Sequence, residues 1–385
     1  LRVDALALED FRNYVREDVE LAPGLNLITG RNAQGKTNLL EAIHYLGGLG
    51  SPRAPDSALV RTGAERSLLH AQVVRRDRPI RIDLELRPGR GARVLINKTP
   101  ASGPRALREL VVSVFFGPDE LSLVKGSPDA RRRFLDELVV KLRPARDSLR
   151  RESERVLKQR NALLKSAPRR GELRKSAEDT IGVWDDALSR TGAALTAARL
   201  EALAQLAPHA RSRYVSVAGG GNLSLRYASS WIPDELVDAA AEDPASVPET
   251  RLRDELAARI EEVRPRELER GVSLVGPQRD DVTVVLGEGD DALDARTYAS
   301  QGDQRTAALA LKLAEHDLLT DALDEPPVLL LDDVFSELDP ARREWLAESV
   351  SAAGQTILSS ADAAGGRGMG VERVIEIAQG KVLSA

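Results

Sequence analysis

The 385-residue chain contains no cysteine, and only 3% of its residues are aromatic. The lack of cysteine excludes disulfides, thiolate zinc sites and cysteine nucleophiles, and it suits a reducing cytosol. With so few aromatic rings, the core must be built mostly from Leu, Val, Ile and Ala. No stretch approaches the roughly 18 consecutive apolar residues that cross a bilayer, so no membrane partner is expected. The opening Leu1-Arg2-Val3-Asp4 carries charge early and reads as a strand rather than a secretory signal. These features together lead to the expectation of a cytoplasmic protein.

Hydrophobic residues make up 42% and charged residues 30% of the chain, the profile of a globular protein with a real core. Its length suggests about two or three domains. The net charge of −5 conceals an asymmetry: residues 128–175 hold 16 Lys/Arg against 7 Asp/Glu, a net of +9, leaving −14 elsewhere. Such a block is either a polyanion-binding surface or a solvated helical face laced with pairs such as Glu154/Lys158.

Apolar periodicity organises the rest. Strands are expected at Val3–Leu8, Val15–Leu21 and Leu25–Thr29, followed by a Gly-rich turn and a helix over Lys36–Leu46. Residues 68–98 alternate as an antiparallel meander, and Val111–Phe116 reads as a buried strand. From Asp129 to Pro208 the chain is Ala/Leu-rich, charged and helical. Breaks at Pro144, Pro168 and Gly171 make it a packed helical lobe rather than a long coiled coil. Residues 233–249 are acidic and contain proline, consistent with a loose connection. Strands return at Val272–Val275 and Val282–Leu286. The chain closes with a helix over Gly302–Leu323, the strand Val328–Leu331, a helix over Pro340–Ala352 and the strand Thr356–Ser359. The expected fold is α/β, a mixed sheet with helices plus the antiparallel meander. Residues 1–127 and 270–385 form one discontinuous head, with 128–269 as an inserted helical lobe.

Gly30-Arg31-Asn32-Ala33-Gln34-Gly35-Lys36-Thr37 fits G-x-x-x-x-G-K-[ST] and lies between an apolar strand and a helix, where a phosphate loop belongs. Its backbone N–H groups and the helix N-terminus would face a polyphosphate. Lys36 would bridge the β- and γ-phosphates of ATP, and Thr37 would ligate Mg²⁺. Val328–Leu331 then delivers Asp332 and Asp333 to a strand's C-terminal end, where ligands collect. Asp332 is a second Mg²⁺ ligand in this reading, and Asp333 polarises the attacking water. Ser300-Gln301-Gly302-Asp303-Gln304-Arg305 precedes an apolar-striped helix that Ser300 can cap. A second anion-binding helix start makes sense if it meets the nucleotide held by another copy of the chain.

The order phosphate loop, inserted lobe, signature, acidic strand end resembles ABC-type ATPase heads of the SMC and Rad50 kind. Ser336-Glu337-Leu338-Asp339 is similar to their D-loop. Asp10-Phe11-Arg12-Asn13-Tyr14, Leu123–Pro128, Arg131–Asp136, Lys158–Asn161 and Gly276-Pro277-Gln278-Arg279-Asp280-Asp281 resemble strings of the RecF family of bacterial recombination mediators. The resemblance implies an ATP- and Mg²⁺-dependent homodimer, with Arg12, Asn13 and Asn38 joining Gly30–Thr37 at the nucleotide. Ser300, Gln301, Gly302, Gln304, Arg305 and Asp339 would act in trans. It implies binding to double-stranded, gapped or junction DNA, and loading of RecA onto SSB-coated single strands with RecR and RecO. Roles in repair, replication restart and the SOS response would follow, with slow, DNA-dependent hydrolysis as a switch. On that basis Arg131, Arg132, Arg133, Lys141 and Arg143 are candidate DNA-phosphate contacts.

Two positions depart from the family pattern. Gln278 stands where His is usual, and Asp303 where Gln or Glu is usual. Ser359 or Ser360 occupies the switch-histidine position of transporters, which leaves Asp333 as the candidate for orienting water. Competing classes are an ABC transporter subunit, an SMC-like structural DNA tether and, more distantly, a metabolic P-loop kinase. The first wants a switch histidine, and the second hundreds of coiled-coil residues.

Overall fold

The computed structural model describes residues 1–166, 172–351, 353–361, 366 and 368–384. In chain order the first elements are β1 (Arg2–Phe11), β2 (Tyr14–Glu20), β3 (Leu25–Thr29) and helix α1 (Lys36–Tyr45). Strands β4 (Ser67–Arg75), β5 (Arg78–Arg87), β6 (Gly91–Ile96), β7 (Thr99–Pro100) and β8 (Ser113–Phe116) follow. Helices α2 (Ser122–Lys125), α3 (Pro128–Leu142), α4 (Asp147–Ser166) and α5 (Glu172–Ala218) lead to β9 (Leu223–Ala228). Next come α6 (Asp234–Glu242), α7 (Glu249–Arg270), β10 (Asp281–Leu286), β11 (Leu293–Asp294), α8 (Ala295–Tyr298) and α9 (Gln301–Leu323). The chain ends with β12 (Val328–Asp332), α10 (Pro340–Ser351), β13 (Thr356–Ser360), β14 (Arg373–Ala378) and β15 (Lys381–Ser384).

Contacts divide the chain into two compact units. The first comprises Leu1–Leu121, Ser216–Gly220 and Ala308–Ala385; the second comprises Ser122–Val215 and Gly221–Ala307. The second unit therefore reaches beyond residue 269, because β10 pairs antiparallel with β9 along Asp281–Leu286.

Two sheets make the first unit. One has the order β2-β1-β4-β5-β6-β7, with every pairing antiparallel, and contains the expected meander. The other has the order β15-β14-β3-β13-β12-β8 and is parallel except for the β14–β15 hairpin. Its central strands β3, β12 and β13 are buried at every residue, as a parallel sheet covered on both faces requires. Helix α1 buries Leu39, Leu40, Ala42, Ile43 and Tyr45 in a core shared with residues of both sheets. Each large apolar side chain so buried contributes roughly 1.5–3 kcal/mol.

In the second unit α3 packs on β10 of the three-stranded sheet β11-β10-β9, and α4 packs on α3 and α7. The Arg160 guanidinium, fully buried on α4, bridges Asp185 of α5 at 2.7 Å and Glu267 of α7 at 2.6 Å. A charge buried this deeply must be paired, and here the pairing fixes three helices together.

Three sequence-based expectations change, and a fourth lies outside the described residues. Helix α5 runs through Pro208 to Ala218, because Leu206 and Ala210 on either side are buried and tertiary packing outweighs the lost N–H bond. The expected breaks at Pro168 and Gly171 lie outside the described residues. Residues 233–249 are not loose: α6 packs Val237 and Ala240 inward, with Asp234 and Glu235 favouring its N-terminus. Val272–Val275 is not a strand. The Ser273 and Leu274 N–H groups donate instead to the Asn161 and Glu267 side chains, at 2.8 and 2.6 Å. No helix among the described residues is long and apolar enough to cross a membrane.

Candidate functional site

Strands β3, β13 and β12 lie side by side in the parallel sheet and deliver their C-terminal ends to one cleft. Residues Gly30–Gly35 connect β3 to α1. Gly30 has φ 146°, and a Cβ there would stand 2.2 Å from the Ile377 carbonyl oxygen, so only glycine fits. The cleft, about 510 Å³, is lined by loop residues Asn32, Ala33, Gly35, Lys36, Thr37 and Asn38 and by Asp332 and Asp333. Pro52, Arg53, Phe115 and Gly117–Glu120 complete the wall. Arg53 and Asp119 approach to 3.8 Å. No motif marks these last residues; the end of β8 at Gly117-Pro118 is their only signal in the sequence.

The Lys36 ammonium donates to the carbonyls of Gly30 and Arg31 at 2.5 and 3.1 Å. Burial lowers its pKa, opposed by the negative charges of Asp333 and Asp332. Thr37 Oγ1 donates to the Asp332 carboxylate at 2.7 and 3.0 Å, joining positions 295 residues apart. Ser359, paired in register with Asp332, donates from its hydroxyl to Asp332 Oδ1 at 2.6 Å and accepts from the Asp333 N–H at 3.0 Å. Asp333 has φ 52°, a left-handed conformation that costs about 1–2 kcal/mol outside glycine and that this second bond helps hold. Ser359, one of the two serines expected at the switch-histidine position, therefore contacts both aspartates.

Among the other expected site residues, Asn13 and Asn38 join the loop. Asn13 Nδ2 donates to the Gln34 carbonyl at 2.9 Å, and its Oδ1 accepts from Asn38 at 2.8 Å. Arg12 instead makes a two-pronged pair with buried Glu41, both bonds 2.7 Å, and donates to the Ala58 carbonyl. Gln34 and Arg31 are absent from the cleft wall. Gln34 turns to the other side of the loop, where its Oε1 accepts from the Gln379 N–H.

Ser300–Arg305 belong to the second unit. The Asp303 N–H donates to Ser300 Oγ at 3.2 Å, and Ser300 Oγ donates to Asp303 Oδ2 at 2.7 Å, an N-terminal cap for α9. Asp303, the departure from the family pattern, thus closes the cap. Ser300, Gln301 and Gly302 are exposed. Gln304 is buried and donates to the Ala295 and Arg296 carbonyls, so its side chain supports the turn from within. Asp339 caps α10, accepting from the Arg342 N–H at 3.0 Å, a bond that lowers its pKa.

The expected DNA-contacting cluster separates. Arg131 is buried, pairs in two-pronged fashion with Asp281 at 2.7 and 2.8 Å, and donates to the Gly126 carbonyl. Arg132 pairs with Asp129 and donates to the Asp280 carbonyl. Lys141 is buried. Arg131 and Lys141 thus lie inside the fold, and Arg132 is half-buried. Arg133 and Arg143 are exposed, the latter paired with Glu201 at 2.8 Å.

The fold and the cleft together define a P-loop α/β head of the kind found in SMC proteins, carrying a helical insertion. A solved SMC head shares that fold at 16% identity and a TM-score of 0.57, covering 100% of this chain and 98% of that one. Residues 2–381 match the family model for the RecF/RecN/SMC N-terminal domain. The chain is 46% identical over 365 residues to the DNA replication and repair protein RecF of Streptomyces avermitilis, covering 94% of each. It is 45% identical to that of Beutenbergia cavernae, covering 93% of each. A solved structure of the recombination mediator protein RecF with ATP, from the RecFOR pathway, superposes with a TM-score of 0.87 at 26% identity, covering 100% of this chain and 97% of that one. The chain belongs to the RecF family of DNA replication and repair proteins.

Proposed function

We propose that this protein is an ATP-dependent DNA-binding recombination mediator in which ATP and Mg²⁺ join two copies of the chain. The observation that carries the reading is the 2.7 Å approach of Thr37 Oγ1 to Asp332 beside the Lys36 loop. Two hard oxygen donors there fit Mg²⁺, which is usually held by one or two protein oxygens plus phosphates and water. No all-protein metal cage is needed, and no group of three or more His, Cys, Asp or Glu placed to hold a metal ion occurs among the described residues. The cation would also offset the carboxylates of Asp332, Asp333 and Asp119 that face the same cleft as a polyphosphate.

Lys36 exchanges its carbonyl partners for the β- and γ-phosphate oxygens, and Asp333 orients the attacking water. Exposed Ser300, Gln301 and Gly302 of one copy complete the site of the other, so that hydrolysis releases the pair. Exposed Arg133 and Arg143 contribute salt-sensitive phosphate contacts to duplex, gapped or junction DNA. RecR, RecO and RecA loading in repair, and a cytoplasmic setting, are carried over from the family. The test compares DNA retention with and without ATP on duplex, single-stranded and gapped substrates. ATP is expected to increase retention on duplex-containing DNA for the wild type and not for Lys36→Ala. Retention that ignores ATP in both proteins would contradict the reading.

A further inference from the structure

The back of the phosphate loop is held by the far end of the chain. Strands β14 and β15 are joined by Gln379-Gly380, a two-residue turn with φ 50° and 69° and with Ala378 paired to Lys381. Two positive φ values make a type I′ hairpin turn, which favours Asn-Gly. Glutamine in the left-handed region is costly, so its presence calls for a compensating contact. That contact is the phosphate loop. The Gln379 N–H donates to Gln34 Oε1 at 2.6 Å, and the Gly380 N–H donates to the Gln34 carbonyl at 2.9 Å. Asn13 Nδ2 donates to the same carbonyl at 2.9 Å. A Cβ on Gly380 would stand 2.5 Å from the Asn13 carbonyl oxygen, so the turn closes on the β1–β2 connection as well.

The direction of these bonds matters. In a trans peptide the N–H and C=O point in opposite directions. Holding the Gln34 carbonyl outward aims the Gly35 N–H toward the cleft. The next peptide is held likewise: the Gly35 carbonyl accepts from the Tyr14 hydroxyl at 2.9 Å and the Leu39 N–H at 3.1 Å, which aims the Lys36 N–H inward. Two consecutive donors are thus set by groups that never enter the cleft.

We propose that the Gln379-Gly380 turn, acting through Gln34 and Asn13, is a positioning element for the polyphosphate-binding amides and links nucleotide occupancy to the C-terminal hairpin. This rests on the nucleotide reading above. The test uses the full chain with Mg²⁺ and a fluorescent ATP analogue, together with hydrogen exchange of residues 376–384 at saturating nucleotide. Wild type is expected to bind and to gain protection in that segment. Gln34→Met, which keeps the length but removes the acceptor, is expected to bind about three- to tenfold more weakly and to lose the gain. Gly380→Ala should behave alike, and the double variant should be at most about twofold weaker than the weaker single, as for one shared linkage. If Gly380→Ala does not fold, Gln34→Met alone decides. Wild-type affinity in Gln34→Met, or an undiminished gain in protection, overturns the positioning proposal and leaves nucleotide binding intact. A wild type that binds no nucleotide overturns both.

Discussion

At the scale of single residues, the chemistry converges on the ends of three neighbouring strands. Lys36 and Thr37 follow β3, Ser359 sits near the end of β13, and Asp332 ends β12. Ser359 touches both aspartates, so its loss removes one of the two hydroxyl donors to Asp332 Oδ1 and the Ser359 acceptor of the Asp333 N–H. Ser359→Ala is expected to lower the ATP turnover rate about tenfold, whereas Ser359→Thr retains most of it; equal rates for wild type and Ser359→Ala would remove Ser359 from the mechanism. The motif residues were legible because each lies in a short local run: G-x-x-x-x-G-K-T, or four apolar residues and two acids. The organising role of Ser359 was not, since it depends on strand pairing 27 residues away. The direction of the Gln34 side chain, bonded to the Gln379 N–H, was hidden for the opposite reason. A motif names the positions of a loop but not the side to which each side chain turns.

At the scale of elements, Asp280 secures the loop between the end of α7 and β10. Tyr227, Ser229 and Trp231 donate to its carboxylate at 2.8, 2.9 and 3.1 Å. Burial pushes this carboxyl up to about 6, against the lowering effect of those bonds and of the Arg199 charge. A carboxyl whose folded pKa is raised binds its proton more tightly in the folded state. Its contribution to stability is therefore greatest below pH 4 and declines as pH rises to about 6, by on the order of 3 kcal/mol. Accordingly, the stability lost on Asp280→Asn should shrink between pH 4 and pH 7, as followed by urea unfolding. A loss that is constant or grows over that range would contradict the burial of this charge. The string Gly276–Asp281 was visible in the sequence, but its partners on β9 and α5 were not. Strand β9 does alternate, Leu223, Leu225 and Tyr227 against Ser224 and Arg226, but over only six residues between a glycine run and an acidic segment. Arg131 and Arg132 looked like a surface for the same reason: a run of arginines does not disclose that Asp281, 150 residues on, takes one of them inside.

At the scale of the whole molecule, the first unit is assembled from both ends of the chain. β3 pairs with β13 and β14, and the Val3 N–H donates to Gln355 Oε1 at 2.7 Å. The phosphate loop consequently reaches Asp332 only when the two ends have met. The discontinuous head was legible from the α/β pattern at both ends. The reach of the inserted unit to Ala307 was not, because it rests on the β9–β10 pairing. The exposed, capped start of α9 is the other half proposed for the site, a proposal that requires a second copy of the chain to meet it. The most direct measurement is therefore the solution mass of Asp333→Asn with Mg²⁺ and ATP, by light scattering, against the same protein without nucleotide. Asp333→Asn is expected to bind ATP without hydrolysing it, so the expected result is a single-chain mass without nucleotide and a doubled mass with it. A single-chain mass at saturating ATP would contradict nucleotide-driven pairing.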